Sequence, residues 1–228
     1  MGMMLNHAGL PTPGAHESTS TTASQVVCVR PALEADSWRT QVPVLHGSRL
    51  TLREVQVDDA PALLAQLTTE ETSRFMSAPP TSVEGFERFI RWSHQEREAG
   101  RHVCFVVIPA NGASPVGMFQ VRILDETGRA AEWGFAIGST YWGTGLFKAG
   151  APRVMDFAFR EMGVRRLEAR ACVANGRGTG ALRQLGAVCE AVLRQSFERC
   201  GERLDQALWT IQREPQWLLA VEPRDRVH

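Results

Sequence analysis

Three apolar runs, HVCFVVI (102–108), PVGMFQVRIL (115–124) and AAEWGFAIG (130–138), follow one another with only short polar links, containing NG at 111–112 and DETG at 125–128. A parallel neighbour in a sheet needs a crossover of roughly a dozen residues, and these links are too short to supply one. The three runs are therefore expected to form an antiparallel meander. The segment after them, APRVMDFAFREMG, repeats Val154, Phe157 and Ala158 at helical spacing and stops near Gly163. RRLEARACV (165–173) reads as a strand reached through that helix, and so as a parallel neighbour of the preceding strand. One parallel joint in an otherwise antiparallel sheet already excludes most all-β and doubly wound folds.

The remaining segments fit around this frame. SRLTLREV (48–55) alternates as a half-buried strand, and DDAPALLAQL follows as a helix with Asp58 as N-cap, Pro61 in the first turn and Leu63, Leu64 and Leu67 on one face. Thr81 and Glu84 have the spacing of a capping box, opening a second helix that buries Val83, Phe86, Phe89 and Ile90 and ends at Gly100. NGRGTGALRQLG opens a short helix, and AVCEAVLRQSF and LDQALWTIQ close the sheet as a hairpin. The expected order is β-α-α-β-β-β-α-β-α-β-β. It is an α/β (α+β) fold with a mixed, mostly antiparallel seven-stranded sheet and about four helices. Residues 1–24 are rich in Ser, Thr, Gly and Pro and read as a flexible tail. Residues 25–45 form an N-terminal extension limited by Pro31 and Pro43, with Trp38 able to dock on the domain. The domain spans 46–212, and 213–228 is a C-terminal tail.

Lys+Arg and Asp+Glu both number 25, so no net field draws the chain to nucleic acid or to an anionic membrane. Lys148 is the only lysine, so nearly all the positive charge is arginine. The five cysteines (Cys28, Cys104, Cys172, Cys189, Cys200) have no CxxC and no zinc-like spacing to histidine, which argues for reduced thiols and no metal. The N-terminus lacks the basic start and continuous apolar run of a secretory signal, and no stretch is apolar for long enough to span a bilayer. A soluble cytoplasmic protein is expected.

The motif with chemical content is YWGTGLFKAG (141–150), which lies between a strand and a helix and holds the only tyrosine and lysine. It is not a Walker loop, because the glycines are one residue apart and no Lys-Ser/Thr pair follows. It is not a dinucleotide fingerprint either, because the third glycine is missing and an antiparallel meander precedes it. What remains is two glycines that let the backbone turn tightly and present N–H groups to an anion at a helix N-terminus. The plainer reading is that they only make a turn.

The order of elements resembles the GNAT superfamily of acyl-CoA-dependent N-acyltransferases, and especially its RimJ/RimL-like branch. The segments that carry the likeness are SRLTLREVQVDDAPAL, EWGFAIGSTYWGTG and RRLEARACVANGRGTGALRQLGA. The resemblance implies that the fourth and fifth strands (130–138 and 165–173) splay apart to admit the pantetheine arm of acetyl-CoA or another short acyl-CoA. It also implies that Ile137 and the loop Trp142, Gly143, Thr144, Gly145, Leu146, Phe147 and Lys148 bind the pyrophosphate, largely through backbone N–H groups. Asn175 would hold the arm or a water, or would simply cap its helix. Arg177 and Lys148 would meet phosphates or solvent. Glu132 corresponds to the carboxylate that relatives direct at the acceptor amine, and is the candidate general base, against a reading as a solvent-facing strand glutamate. The acceptor would be a small-molecule amine or a protein N-terminus, with Phe75, Met76 and Trp92 lining its site or packing in the core. A homodimer is left open.

The chain also departs from the family pattern. Phe147 stands where Gly or Ala is usual and is expected to crowd the nucleotide. Pro152 either kinks a helix that begins right after Gly145 or marks a helix that begins at about 150. Relatives protonate the departing thiolate with a tyrosine of the last helix or with the serine of an Asn-x-x-Ser pattern. Here Leu182 and Gly178 occupy those positions, and Thr179 or Cys172 is the available substitute. Glu168 reads as a sheet ion pair with Arg166 or Arg170. The rival to an enzyme is a degenerate domain of the same family that binds acyl-CoA without turnover.

Overall fold

The computed structural model describes residues 2–3 and 37–213, so most of the expected N-terminal tail, Cys28 and the end of the C-terminal tail lie outside the described residues. The elements in chain order are β1 Gly2–Met3, α1 Ser37–Thr40, β2 Leu45–His46, β3 Leu50–Glu54, α2 Ala60–Leu67, α3 Glu70–Ser73, α4 Val83–Glu98, β4 His102–Pro109, β5 Gly117–Ile123, β6 Ala130–Ile137, α5 Leu146–Arg160, β7 Arg166–Cys172, α6 Gly176–Gln184, β8 Val188–Arg199 and β9 Glu202–Gln212. One sheet runs β2-β3-β4-β5-β6-β7-β9-β8, and β1 pairs with β6 off that path. Among the described residues, its only parallel joint is β6 with β7. The expected seven strands are all present. The two-residue β1 and β2 bring the total to nine, and the four-residue α1 and α3 join the four longer helices.

The sheet is covered on both faces over β4, β5 and β6, which is why these strands read as continuous apolar runs. On one face α5 packs against Leu50, Leu52, Phe105, Phe119, Trp133 and Phe135 through Phe147, Ala151, Val154 and Phe157. On the other, Leu63 and Leu67 of α2 and Phe86 and Ile90 of α4 meet Cys104, Val106, Met118 and Ala136. Each fully buried aromatic or aliphatic side chain here contributes about 1.5–3 kcal/mol. Trp38 docks as the sequence suggested and is buried in the α5-side core.

Two helix starts lie one residue from the expected caps. Asp59, not Asp58, precedes α2, where its carboxylate takes both guanidinium ends of Arg53 at 2.7 Å and the Gln56 amide at 2.8 Å. Ser82, not Thr81, caps α4 by accepting from the Gly85 amide at 3.1 Å. Cap identity depends on which residue turns out of the helix, and neighbouring Ser/Thr or Asp pairs do not reveal it.

Candidate active site

The site forms where the sheet opens. β6 and β7 pair only at Ala130, Ala131 and Glu132 against Arg166, Leu167 and Glu168. Beyond Glu132 the two strands pair with their outer neighbours only, β6 with β5 and β7 with β9. The inner edge of β6 from 133 to 137 thus turns main-chain groups into a gap. Gly2–Met3 lies on part of this edge, pairing with Ala136 and Phe135. The expected splaying of these two strands is observed.

At the end of β6 the chain enters the glycine loop. Gly143 and Gly145 have φ of 79° and 86°, a left-handed backbone that residues with a Cβ adopt at a cost of about 1–2 kcal/mol. Trp142 is pinned by its indole N–H donating to the Ile137 carbonyl at 2.7 Å, and the Thr144 hydroxyl donates to the Tyr141 carbonyl at 2.7 Å. α5 begins directly at Leu146, so Pro152 lies inside it and leaves the Lys148 carbonyl without its intrahelical donor. The first N–H groups of α5, from Leu146 onward, therefore point out of the helix beside the gap. Phe147 does not crowd this space as expected. Helix entry at Leu146 puts it on the apolar stripe of α5, where its ring packs 4.4 Å from Phe135 and 6.1 Å from Phe119.

The loop lines a cleft of about 890 Å³. Its walls include Ile137, the loop from Trp142 to Lys148, Arg177 of α6, and three residues not singled out from sequence: Arg49, Arg153 and Gln184. The guanidinium of Arg177 lies 4.5 Å over the Trp142 ring, which joins the two sides of the cleft. Arg49, Lys148, Arg153 and Arg177 are all present in the lining, and no Asp or Glu is among it. A chain of zero net charge thus presents a cationic mouth at a helix N-terminus, which fits a multiply phosphorylated ligand. The bland reading of the glycines as a turn alone leaves these cations unexplained.

Across the gap, Asn175 is buried and caps α6, its Oδ1 accepting from the Gly178 amide at 2.9 Å. The cap leaves only its amide N–H groups for a ligand. A Cβ at Gly178 would stand 2.6 Å from the Asn175 Nδ2, so a serine there requires the Asn175 amide to shift from its present position. The Thr179 hydroxyl lies 3.1 Å from the Asn175 carbonyl and 3.2 Å from that of Gly176, and its single proton is shared between these two acceptors. Leu182 is fully buried in the core, and Cys172 is buried as well.

Strand alternation places Glu132 on the face opposite Trp133, the α2/α4 side of the sheet, where it is buried. Its Oε2 accepts from Arg122 at 2.5 Å, the residue directly opposite on β5. Glu132 is thus not the solvent-facing glutamate of the plainer reading. Arg122 was not singled out from sequence: a turn centred on DETG would set it opposite Ala131, and the observed register, one residue on, sets it opposite Glu132. Behind it, a buried network runs from the Ser93 hydroxyl to His102 Nδ1 at 3.1 Å and from His102 Nε2 to Gln120 Oε1 at 3.2 Å. Glu168 is ion-paired to Arg166 at 2.7 Å, as expected.

The proposed acceptor residues separate. Met76 is 1% exposed and packs in the α2/α4 core, so it does not line a cleft. Trp92 is half-buried against Phe89 and the ring of His102, 4.9 Å away. Phe75 is half-buried under the Arg74 guanidinium at 5.1 Å. Among the described residues there is no cluster of side chains able to hold a metal ion, and no helix is long and apolar enough to cross a membrane.

Comparison with known proteins agrees with this geometry. Residues 49–188 match the family model described as the acetyltransferase (GNAT) domain. An uncharacterized N-acetyltransferase, p20, from Bacillus licheniformis is 24% identical over 73% of this chain and 94% of its own. RimJ from Mycobacterium smegmatis, in complex with a CoA disulfide, superposes with a TM-score of 0.64 at 22% identity, covering 72% of this chain and 82% of that one. RimL, a ribosomal alpha-N-protein acetyltransferase in complex with coenzyme A, gives 0.68 at 16% identity, covering 75% and 98%.

Proposed function

Because the chain belongs to the GNAT acetyltransferase family, whose model spans more than half of it, we propose that it transfers an acetyl or other short acyl group from acyl-CoA to a primary amine by direct attack in a ternary complex. The observation that carries this reading is the joining of two features in one cleft: a β6 edge opened past Glu132 and a left-handed glycine loop feeding the N-terminus of α5. A pantetheine arm carries amides that suit a free strand edge, and a pyrophosphate suits the loop. The arm would compete with Gly2–Met3 for that edge. The RimJ and RimL structures, which hold coenzyme A, support the same use of this fold.

The donor would supply a thioester carbonyl as electrophile. Glu132 would accept the proton of the attacking amine, directly or through a water, with Arg122 fixing the carboxylate by its 2.5 Å hydrogen bond. The C–N bond forms and the C–S bond breaks, and the thiolate leaves with a proton from solvent, since Thr179 is tied to helix carbonyls. RimL's description as an alpha-N-protein acetyltransferase supports a protein N-terminus as one acceptor class; a small amine is the other.

Thiol release measured across amines and N-terminal peptides tests the reading. Glu132→Gln is expected to lower kcat on the order of a hundredfold while acetyl-CoA binding stays unchanged. Normal turnover of that variant would remove Glu132 from the mechanism. A second reading, acyl-CoA binding without transfer, is favoured by buried Leu182 and by Gly178 at the two proton-donor positions. Calorimetric binding of acetyl-CoA with no thiol release from any acceptor would select it.

A further inference from the structure

We propose that Arg49 is a donor-binding residue that contacts the pyrophosphate of acyl-CoA, completing the glycine loop with a charged side chain from the far side. The inference rests on the reading of this cleft as the acyl-CoA site.

Arg49 lies one residue before β3, and its main chain is fixed by the Ala110 amide donating to its carbonyl at 2.8 Å. The side chain then runs along the loop: its Cδ and Nε stand 3.8 and 4.0 Å from the position a Cβ on Gly145 would take. Gly145 is the residue immediately before α5, so the guanidinium adjoins the helix N–H groups that lack intrahelical partners. A diphosphate seated on those N–H groups would be within reach of the fork, whose paired donors match two phosphate oxygens.

Several other arginines are ion-paired, in contrast to Arg49. Arg53, Arg97, Arg101, Arg122, Arg160 and Arg166 each hold a carboxylate. Among the described residues, no hydrogen bond or ion pair engages the Arg49 guanidinium, and the cleft wall contains no acid to neutralise it. The other cations of the cleft are placed differently. Arg153 donates to the carbonyls of His46 and Ala149, and Arg177 lies on the Trp142 ring on the opposite wall. An exposed, unpaired guanidinium directed at an anion-binding loop gains nothing for stability, and its position is explained by a ligand.

The test is calorimetric titration of the full chain and of Arg49→Gln with CoA and with 3′-dephospho-CoA. Arg49→Gln is expected to weaken both ligands by the same factor, about tenfold, as loss of a charge-assisted hydrogen bond does. Its affinity should also depend less steeply on salt than that of the unchanged chain. Equal affinity of the two proteins overturns the inference. So does a loss confined to CoA, which would assign the guanidinium to the ribose 3′-phosphate. Should Arg49→Gln fold poorly, Arg49→Lys, which keeps the charge but not the fork, is expected to weaken CoA and 3′-dephospho-CoA by the same factor, smaller than about tenfold, and an affinity equal to the unchanged chain overturns the inference. Failure of the unchanged chain to bind CoA is a different outcome and removes the acyl-CoA reading itself.

Discussion

Asn175 and Gly178 behave as one unit. The asparagine caps α6 in its present position beside a residue without a Cβ, since a Cβ at 178 would stand 2.6 Å from its amide nitrogen. Gly178→Ser, which restores the family's serine, is therefore expected to destabilise the fold by about 1 kcal/mol through loss of that cap, seen as a lower denaturant midpoint at unchanged slope. An unchanged midpoint would show that Asn175 keeps its cap with a serine in place. From sequence, Asn175 carried two roles, and the structure demonstrates the capping one. Glu132 likewise gained a partner, Arg122, which lies ten residues away along the chain and directly across the hairpin. Met76 could not be placed from sequence, because an apolar residue in a loop reads alike whether it lines a cleft or fills the core. What decides is the three-dimensional approach of α2 and α4, which buries it.

The element that organises the site is α5. Its start at Leu146 settles two alternatives at once: Pro152 is inside the helix, and Phe147 belongs to the stripe continued by Ala151, Val154 and Ala158. That stripe was legible from Val154 onward; Phe147 extends it towards the loop and also lies in the cleft wall. α5 lies so close to the sheet that a Cβ at Gly150 would stand 2.8 Å from the Phe119 ring and 3.3 Å from Leu50. Gly150→Ala is expected to cost about 1–3 kcal/mol by overpacking, despite the better helix propensity of alanine. Thermal unfolding measures this, and a raised Tm would show that the ring yields freely. The meander and the parallel joint were legible for a different reason: connection length alone dictates them. Helix starts depend on the local turn of one residue, so the cap of α4 falls on Ser82, one position from Thr81, and α2 begins after Asp59, whose side chain does not cap it.

At the scale of the whole molecule, the closing hairpin is tied across the sheet by charge. Arg166 of β7 binds Glu168 on its own strand and both oxygens of Glu190 on β8, at 2.9 and 2.6 Å, while Thr210 of β9 donates to Glu190 at 2.7 Å. Hydrogen bonds from Arg166, and then from Thr210, hold the Glu190 carboxyl down to about 2 from the usual 4.5. A depressed carboxyl favours the folded state above its unfolded value and loses that contribution as the pH falls towards its folded value. The Tm difference between the unchanged chain and Glu190→Gln is therefore expected to be full at pH 5 and to vanish as the pH is lowered from about 4.5 to about 2. A difference independent of pH across that window would assign the contribution of Glu190 to packing instead.

The parting of β6 from β7 has a consequence for how such a protein changes over generations. The edge from 133 to 137 offers amide and carbonyl groups that every amino acid possesses, while the side chains of Trp133 and Phe135 point away into the core. A ligand laid on that edge reads no letter of the sequence, so substitutions there are screened for volume and not for recognition. Much the same is true of the glycine loop, where the requirement is a permitted backbone angle. Drift to 24% identity with a relative, and to 16% with a superposable structure, is what a cleft built from main chain can absorb.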